Sequence, residues 1–215
     1  MKRTMLMLLA LLLCAVPRAQ MGTGSQGRLG EVATEVLKKA AAKFNQNVAF
    51  TVTYTNLDEK HKPVSKQSAE VRYSKGKYRL LLPDQELISD GTTVWHWNKT
   101  ADEVVINNVT DDDIDMLNPG RMLANYNNAF RAKYIRTDEN GVAIIDLQPK
   151  SARPYHKIRL FIDEESGLLH RMEVHKYDSS REVYDISDFK RAANAAGQFT
   201  FNATEHPSVE IIDMR

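Results

Sequence analysis

Ile88-Ser89-Asp90-Gly91-Thr92-Thr93-Val94-Trp95-His96-Trp97-Asn98 is the stretch whose reading decides the fold. Asp90-Gly91 offers the positive φ angles of a two-residue hairpin turn, and a β-branched and aromatic run follows it. Side chains alternate along a strand, so Trp95 and Trp97 share one face with Thr93 while Val94 and His96 point the other way. Two neighbouring indoles of this kind fill either a sandwich core or the wall of a concave ligand site.

Strand patterns extend from this hairpin in both directions. Upstream, Val48, Phe50, Val52 and Tyr54 alternate with small or polar residues, as do Ala69, Val71 and Tyr73, and then Tyr78, Leu80 and Leu82 after a break at Gly76. Glu86 to Ile88 enters the hairpin, and Val104-Val105-Ile106 completes an antiparallel meander. Downstream, strands are expected at Val142 to Leu147, Ile158 to Ile162, Leu169 to Tyr177, Val183 to Phe189, Phe199 to Phe201 and Val209 to Ile212.

Helical spacing interrupts the strands twice. Val32, Val36, Leu37, Ala40 and Phe44 form one stripe, with lysines concentrated late where they suit the helix dipole, which predicts an amphipathic helix over 31–44. Asp111 to Asp113 precede Ile114, Met116 and Leu117 in a short helical turn. Asn118-Pro119 then reads as the cap and first position of a second helix with Met122, Leu123, Tyr126 and Phe130 on one side. Such pieces either plug the open side of a curved sheet or form a movable lid. The fold class expected is mainly β (α+β), a strongly curved antiparallel sheet forming an incomplete β-barrel, with helices covering its concave side.

The first residues read as an export signal. Lys2 and Arg3 precede an apolar run from Met5 to Val16 that is short for a membrane span, which predicts a signal peptide over 1–19. A flexible leader rich in Gly, Ser and Gln follows over 20–30, and a single domain over 31–215. Cys14, the one cysteine of the chain, lies inside the signal, and Leu13 stands before it where a lipoprotein signal has a small side chain. Losing Lys2, Arg3 and Arg18 turns the formal charge of +1 slightly negative, and an evenly mixed surface of this kind argues against nucleic acid as a partner.

Chemistry is hard to place on this chain. It has no Gly-x-Ser-x-Gly elbow and no Gly-rich phosphate loop before a helix, and a mature chain without cysteine has no thiol nucleophile. His170 and His175 are five apart on a strand and so face opposite ways, and Asp111 to Asp115 lack the spacing of a calcium loop. The expectation is a binding protein rather than an enzyme, without catalytic residues, metal or cofactor.

The order of these pieces resembles the LolA family of periplasmic lipoprotein carriers and its LolB-like relatives. The resemblance rests on an amphipathic helix ending near Phe44 before Phe50-Thr51-Val52, the Ser89-Asp90-Gly91 turn before Val94-Trp95-His96-Trp97-Asn98, and Asn118-Pro119 with Met122-Leu123. Leu147-Gln148-Pro149-Lys150, Phe199-Thr200-Phe201, Pro207 and Val209 to Ile212 complete it. It implies a cavity for the acyl chains of lipoproteins, an inner-membrane ABC transporter as donor, an outer-membrane acceptor as recipient, and a periplasmic monomer. A LolB-like acceptor anchored through Cys14 and a sensor or scaffold module using the same concave surface are the alternatives. The family often has an Arg-Pro pair after its second strand that bonds toward the lid; this chain has Ser74-Lys75-Gly76-Lys77 there, and lysine lacks the planar fork of arginine.

Taken with the missing catalytic motifs, the resemblance favours the ligand-facing reading of the two tryptophans. The cavity set expected is Phe50, Val52, Tyr54, Val71, Tyr73, Tyr78, Leu80, Leu82, Trp95 and Trp97, with Met116, Leu117, Met122, Leu123 and Tyr126 from the lid. Strand phase decides this set, because a shift of one residue turns a whole strand outward.

Overall fold

Twelve strands form one curved, unclosed sheet, with two helices among the described residues. The computed structural model describes residues 23–109, 118–193 and 197–215. In chain order the elements are α1 (Thr23–Phe44), β1 (Val48–Leu57), β2 (Pro63–Ser74), β3 (Lys77–Leu81), β4 (Gln85–Ser89), β5 (Thr93–Asn98) and β6 (Glu103–Asn108). Then come α2 (Pro119–Ala129), β7 (Phe130–Thr137), β8 (Val142–Pro149), β9 (Tyr155–Asp163), β10 (Leu169–Lys176), β11 (Arg181–Arg191) and β12 (Glu210–Asp213). The expected signal peptide, the Asp111 to Asp115 cluster and the lid residues Met116 and Leu117 lie outside the described residues.

Two meanders, β1 to β6 and β7 to β11, are joined by the antiparallel pairing of β1 with β11. That contact brings together segments more than a hundred residues apart, such as Tyr54 and Tyr184, and makes β1 the spine of the sheet. One departure from the antiparallel pattern lies at the edge, where β12 runs parallel to β6.

The stripe on α1 has the position its spacing predicts. Val36, Leu37, Ala40 and Phe44 are buried on the concave face, and the Phe44 ring meets Phe50, Tyr73 and Phe189 edge to face at 5.5–6.0 Å. The helix starts earlier than expected, however. Residues 23–30, predicted as leader, are helical, and because they precede the apolar stripe no periodicity marks them.

Three further expectations are corrected. Phe130 does not end the second helix but begins β7, whose alternation of Phe130, Ala132 and Tyr134 with Arg131 and Lys133 is hidden once Phe130 is assigned to the helix. Phe199 to Phe201 is not a strand but a turn and coil segment. The hairpin turn is displaced by one residue from Asp90-Gly91, since Ser89 pairs with Val94, the Asp90 N–H donates to the Thr93 carbonyl at 3.3 Å, and Gly91-Thr92 stand between them. The Asp90 carboxylate organises that loop by accepting hydrogen bonds from the backbone N–H of Thr92 (2.9 Å) and Thr93 (2.8 Å), and Gly91 takes the left-handed conformation at φ +96°.

Candidate apolar cavity under the sheet

Cross-strand pairing fixes which side chains share the concave face. Phe50 pairs with Val71, Val71 with Leu80, and Leu80 with Leu87, while Val52 stands between Ala69 and Ile186. The next level along β1 is Tyr54, flanked by Gln67 on β2 and Tyr184 on β11, with Met172 beyond it on β10. These side chains surround a cavity of about 310 Å³. Leu82, Leu169 and Pro119 at the start of α2 also line it.

Of the expected cavity residues, the structure gathers Phe50, Val52, Tyr54, Val71, Leu80 and Leu82 around this space. Tyr73 and Tyr78 lie on the same face but are packed into the core, as are Met122 and Leu123 from α2. The Tyr126 hydroxyl turns toward α1, 3.2 Å from Thr34 Oγ1.

Trp95 and Trp97 are a correction. Leu87 faces the cavity and pairs with His96, so the two tryptophans, one residue to either side, face out on the convex surface opposite Ile88 and Glu86. There the C-terminal segment covers Trp97. Trp97 packs against Phe201 with ring centroids 5.6 Å apart and against His206 at 4.3 Å, and Arg79 Nη1 donates to the Gln198 carbonyl at 3.5 Å. Glu86, buried on the same face, is held by Arg79 and by Lys99 at 2.9 Å. Burial alone would raise the Glu86 carboxyl, but these two cations outweigh it and keep it below the usual carboxylate range.

The residues missed from the sequence are the far wall, namely Leu87, Leu169, Met172, Tyr184 and Ile186, and the polar Gln67, Ser68 and Gln85. Their strands carry a readable period of two. Leu87, Gln67, Ser68 and Gln85 lie on the local β1–β4 meander, whereas for Leu169, Met172, Tyr184 and Ile186 only the non-local pairing of β1 with β11 shows that they face the same void.

Asn118 ties α2 to the sheet. Its Oδ1 accepts from the Arg121 backbone N–H at 2.9 Å, as a helix cap does, and also from the Tyr73 hydroxyl at 2.6 Å, while its Nδ2 donates to the Gly76 carbonyl at 2.9 Å. The Ser74-Lys75-Gly76-Lys77 turn thus holds the helix through its backbone rather than through an arginine. Burial pushes the Tyr73 hydroxyl up to about 12, so it stays a donor at every physiological pH. Gly120 is required for this approach, because a Cβ there would stand 2.4 Å from the Tyr73 hydroxyl oxygen and 2.6 Å from Phe44 Cβ.

Residues 79–202 match the model of the outer membrane lipoprotein carrier protein LolA. An outer-membrane lipoprotein carrier protein of Vibrio vulnificus is 29% identical over 136 residues, which cover 62% of this chain and 65% of that relative's own length. A crystal structure of an uncharacterized conserved protein from Thermus thermophilus superposes with a TM-score of 0.57 at 12% identity, covering 84% of this chain and 98% of the other. A LolA superfamily protein from Nitrosomonas europaea aligns over 79% of this chain and 97% of its own at 12% identity, with a TM-score of 0.46. With the family model spanning more than half of the sequence and a curved open sheet roofed by helices, the chain belongs to the LolA family.

Proposed function

We propose that this protein is an exported periplasmic carrier that takes up the acyl chains of lipoproteins in its concave cavity. It receives them from an inner-membrane ABC transporter and carries them toward an acceptor at the outer membrane. The observation that carries this reading is the void itself: Val52, Leu80 and Leu87 are apolar yet only half-buried around open space. An apolar wall left incompletely covered gains about 25 cal/mol per Å² when a ligand covers it, and an acyl chain contributes roughly 0.8 kcal/mol per methylene removed from water.

The cavity of about 310 Å³ lies at the small end of the roughly 300–1,000 Å³ that ligand sites occupy. A cargo with several chains therefore needs more room than the closed form offers. Pro119 lines the cavity and adjoins Asn118, so moving α2 outward both enlarges the space and breaks the bonds to Tyr73 and Gly76. The function is binding and release, and no step of it needs a catalytic group.

Size-exclusion chromatography of the purified protein with a detergent-released triacylated lipoprotein tests this. A soluble complex is expected with the acylated cargo and none with the same cargo lacking its acyl groups. A folded protein that leaves acylated cargo in the aggregate, or binds both forms alike, overturns the reading.

A further inference from the structure

The concave face changes character along β1. From Phe50 to Val52 its neighbours are apolar. At Tyr54 they become a second phenol, Tyr184, at a ring distance of 5.1 Å, and the amide of Gln67. One step further on β11 is Glu182, which shares this face because strand side chains repeat every second residue. Its carboxylate accepts from the Tyr184 hydroxyl at 3.0 Å and is paired with Lys176 Nζ at 2.5 Å. Phe50 and Pro119 line the other end, so the cavity runs from hydrocarbon to the two phenols, with the Lys176–Glu182 pair next to it through the Tyr184 hydroxyl.

We propose that Lys176 and Glu182, with Tyr54, Tyr184 and Gln67, form a head-group subsite that selects amphiphiles with an uncharged ester or amide head. This rests on the acyl-cavity reading and adds an orientation, with the chain toward Phe50 and the head at Lys176. The selection follows from which hydrogen-bonding groups are already used. Lys176 gives one N–H to Glu182 and has two further donors, while Glu182 already accepts from both Lys176 and Tyr184. Burial, reinforced by the Glu182 charge, raises the Tyr184 hydroxyl far above its ordinary value, so it remains a donor. The mouth thus offers spare donors without net positive charge, since Asp178 in the adjoining turn also faces Lys176. A carbonyl can take these donors without disturbing the pair. An anionic head must compete with Glu182 for Lys176, and a cationic head must compete with Lys176 for Glu182, each at the cost of a like charge nearby.

Isothermal titration with three palmitoyl-length probes below their micelle concentrations tests this: monopalmitoylglycerol, palmitate and hexadecyltrimethylammonium. The glyceride should bind the wild-type protein about tenfold more tightly than either ion. In Glu182→Gln the freed lysine should tighten palmitate about fivefold, and in Lys176→Met the freed carboxylate should tighten the cation by a similar factor. Thermal melts of both variants show whether they fold, and the wild-type preference stands as a test without them. Equal affinity for the three heads, or preferences that the folded variants leave unmoved, sinks the subsite and leaves the acyl cavity standing. Failure of all three to bind overturns the acyl cavity itself and the subsite with it.

Discussion

β4 and β5 have two faces with opposite fates. On the convex face Ile88 and Val104 are fully buried, Glu86 is neutralised by two cations, and the segment from Gln198 to His206 packs against Trp97. On the concave face of the same sheet Leu80 and Leu87 remain half-buried beside a void. Side-chain size does not tell the two apart, since the largest aromatic residues of the chain are on the sealed side. What separates them is whether another part of the chain finishes the packing. A finished face contributes stability, and an unfinished one retains the capacity to bind.

The sharpest way to break this comparison is to remove a side chain from each face. Ile88→Ala should cost about 3 kcal/mol in urea denaturation, because a fully buried aliphatic leaves a cavity behind, and should leave the affinity of the folded protein for a palmitoyl probe unchanged. Leu80→Ser should do the reverse, weakening the probe roughly tenfold with a smaller loss of stability. If the two substitutions give the same pattern, the faces are not functionally distinct.

Asn118→Ala probes the tie between α2 and the concave face, with a somewhat smaller effect. It removes a helix cap and leaves the buried Tyr73 hydroxyl and the Gly76 carbonyl without their partner, for a loss of about 2 kcal/mol. Because α2 is then held less firmly, probe association followed by stopped-flow fluorescence should speed up. Slower or unchanged association in the variant would mean that α2 does not gate the cavity.

The strands other than β7, the apolar stripe of α1, the cap at Asn118 and the apolar face of β1 to β3 were legible in the sequence, because each depends on residues two to four positions apart, although the same reading also placed a strand at Phe199 to Phe201 where there is none. Trp95 and Trp97 show where that stops. Their shared face was readable, but whether it looked inward depended on the pairing of Leu87 with His96 and on a C-terminal segment that folds back from a hundred residues away. The far wall was lost for the same reason: Tyr184 and Ile186 meet Tyr54 and Val52 only through the β1–β11 pairing. The latch shows a different limit. The sequence shows that arginine is missing, but not that Asn118, far from the turn in the chain, takes up its backbone carbonyl while Tyr73, the residue just before it, takes up its N–H.

The smallest expected effect uses pH to loosen one face alone. Glu86 and Asp146 are both buried with their cations on the convex side. Burial would raise the Asp146 carboxyl, but hydrogen bonds from Arg159 at 2.7 and 2.9 Å and the charge of Lys157 outweigh it and hold it below the usual range, as Arg79 and Lys99 do for Glu86. A carboxyl depressed in the folded state stabilises the fold above its unfolded value, about 4.5 for Glu86 and 3.8 for Asp146, and that stabilisation is lost as pH falls toward the folded value. The melting temperature should therefore hold between pH 7 and about 5 and drop by several degrees as pH falls below about 4. Glu86→Gln and Asp146→Asn should each lower the neutral-pH stability and flatten the acid limb. The uncharged glyceride probe, bound on the other face, should keep its affinity for whatever fraction stays folded. An acid limb that survives in the double variant would place the responsible carboxylates elsewhere, and a probe affinity that falls in step with the melt would mean that the two faces give way together.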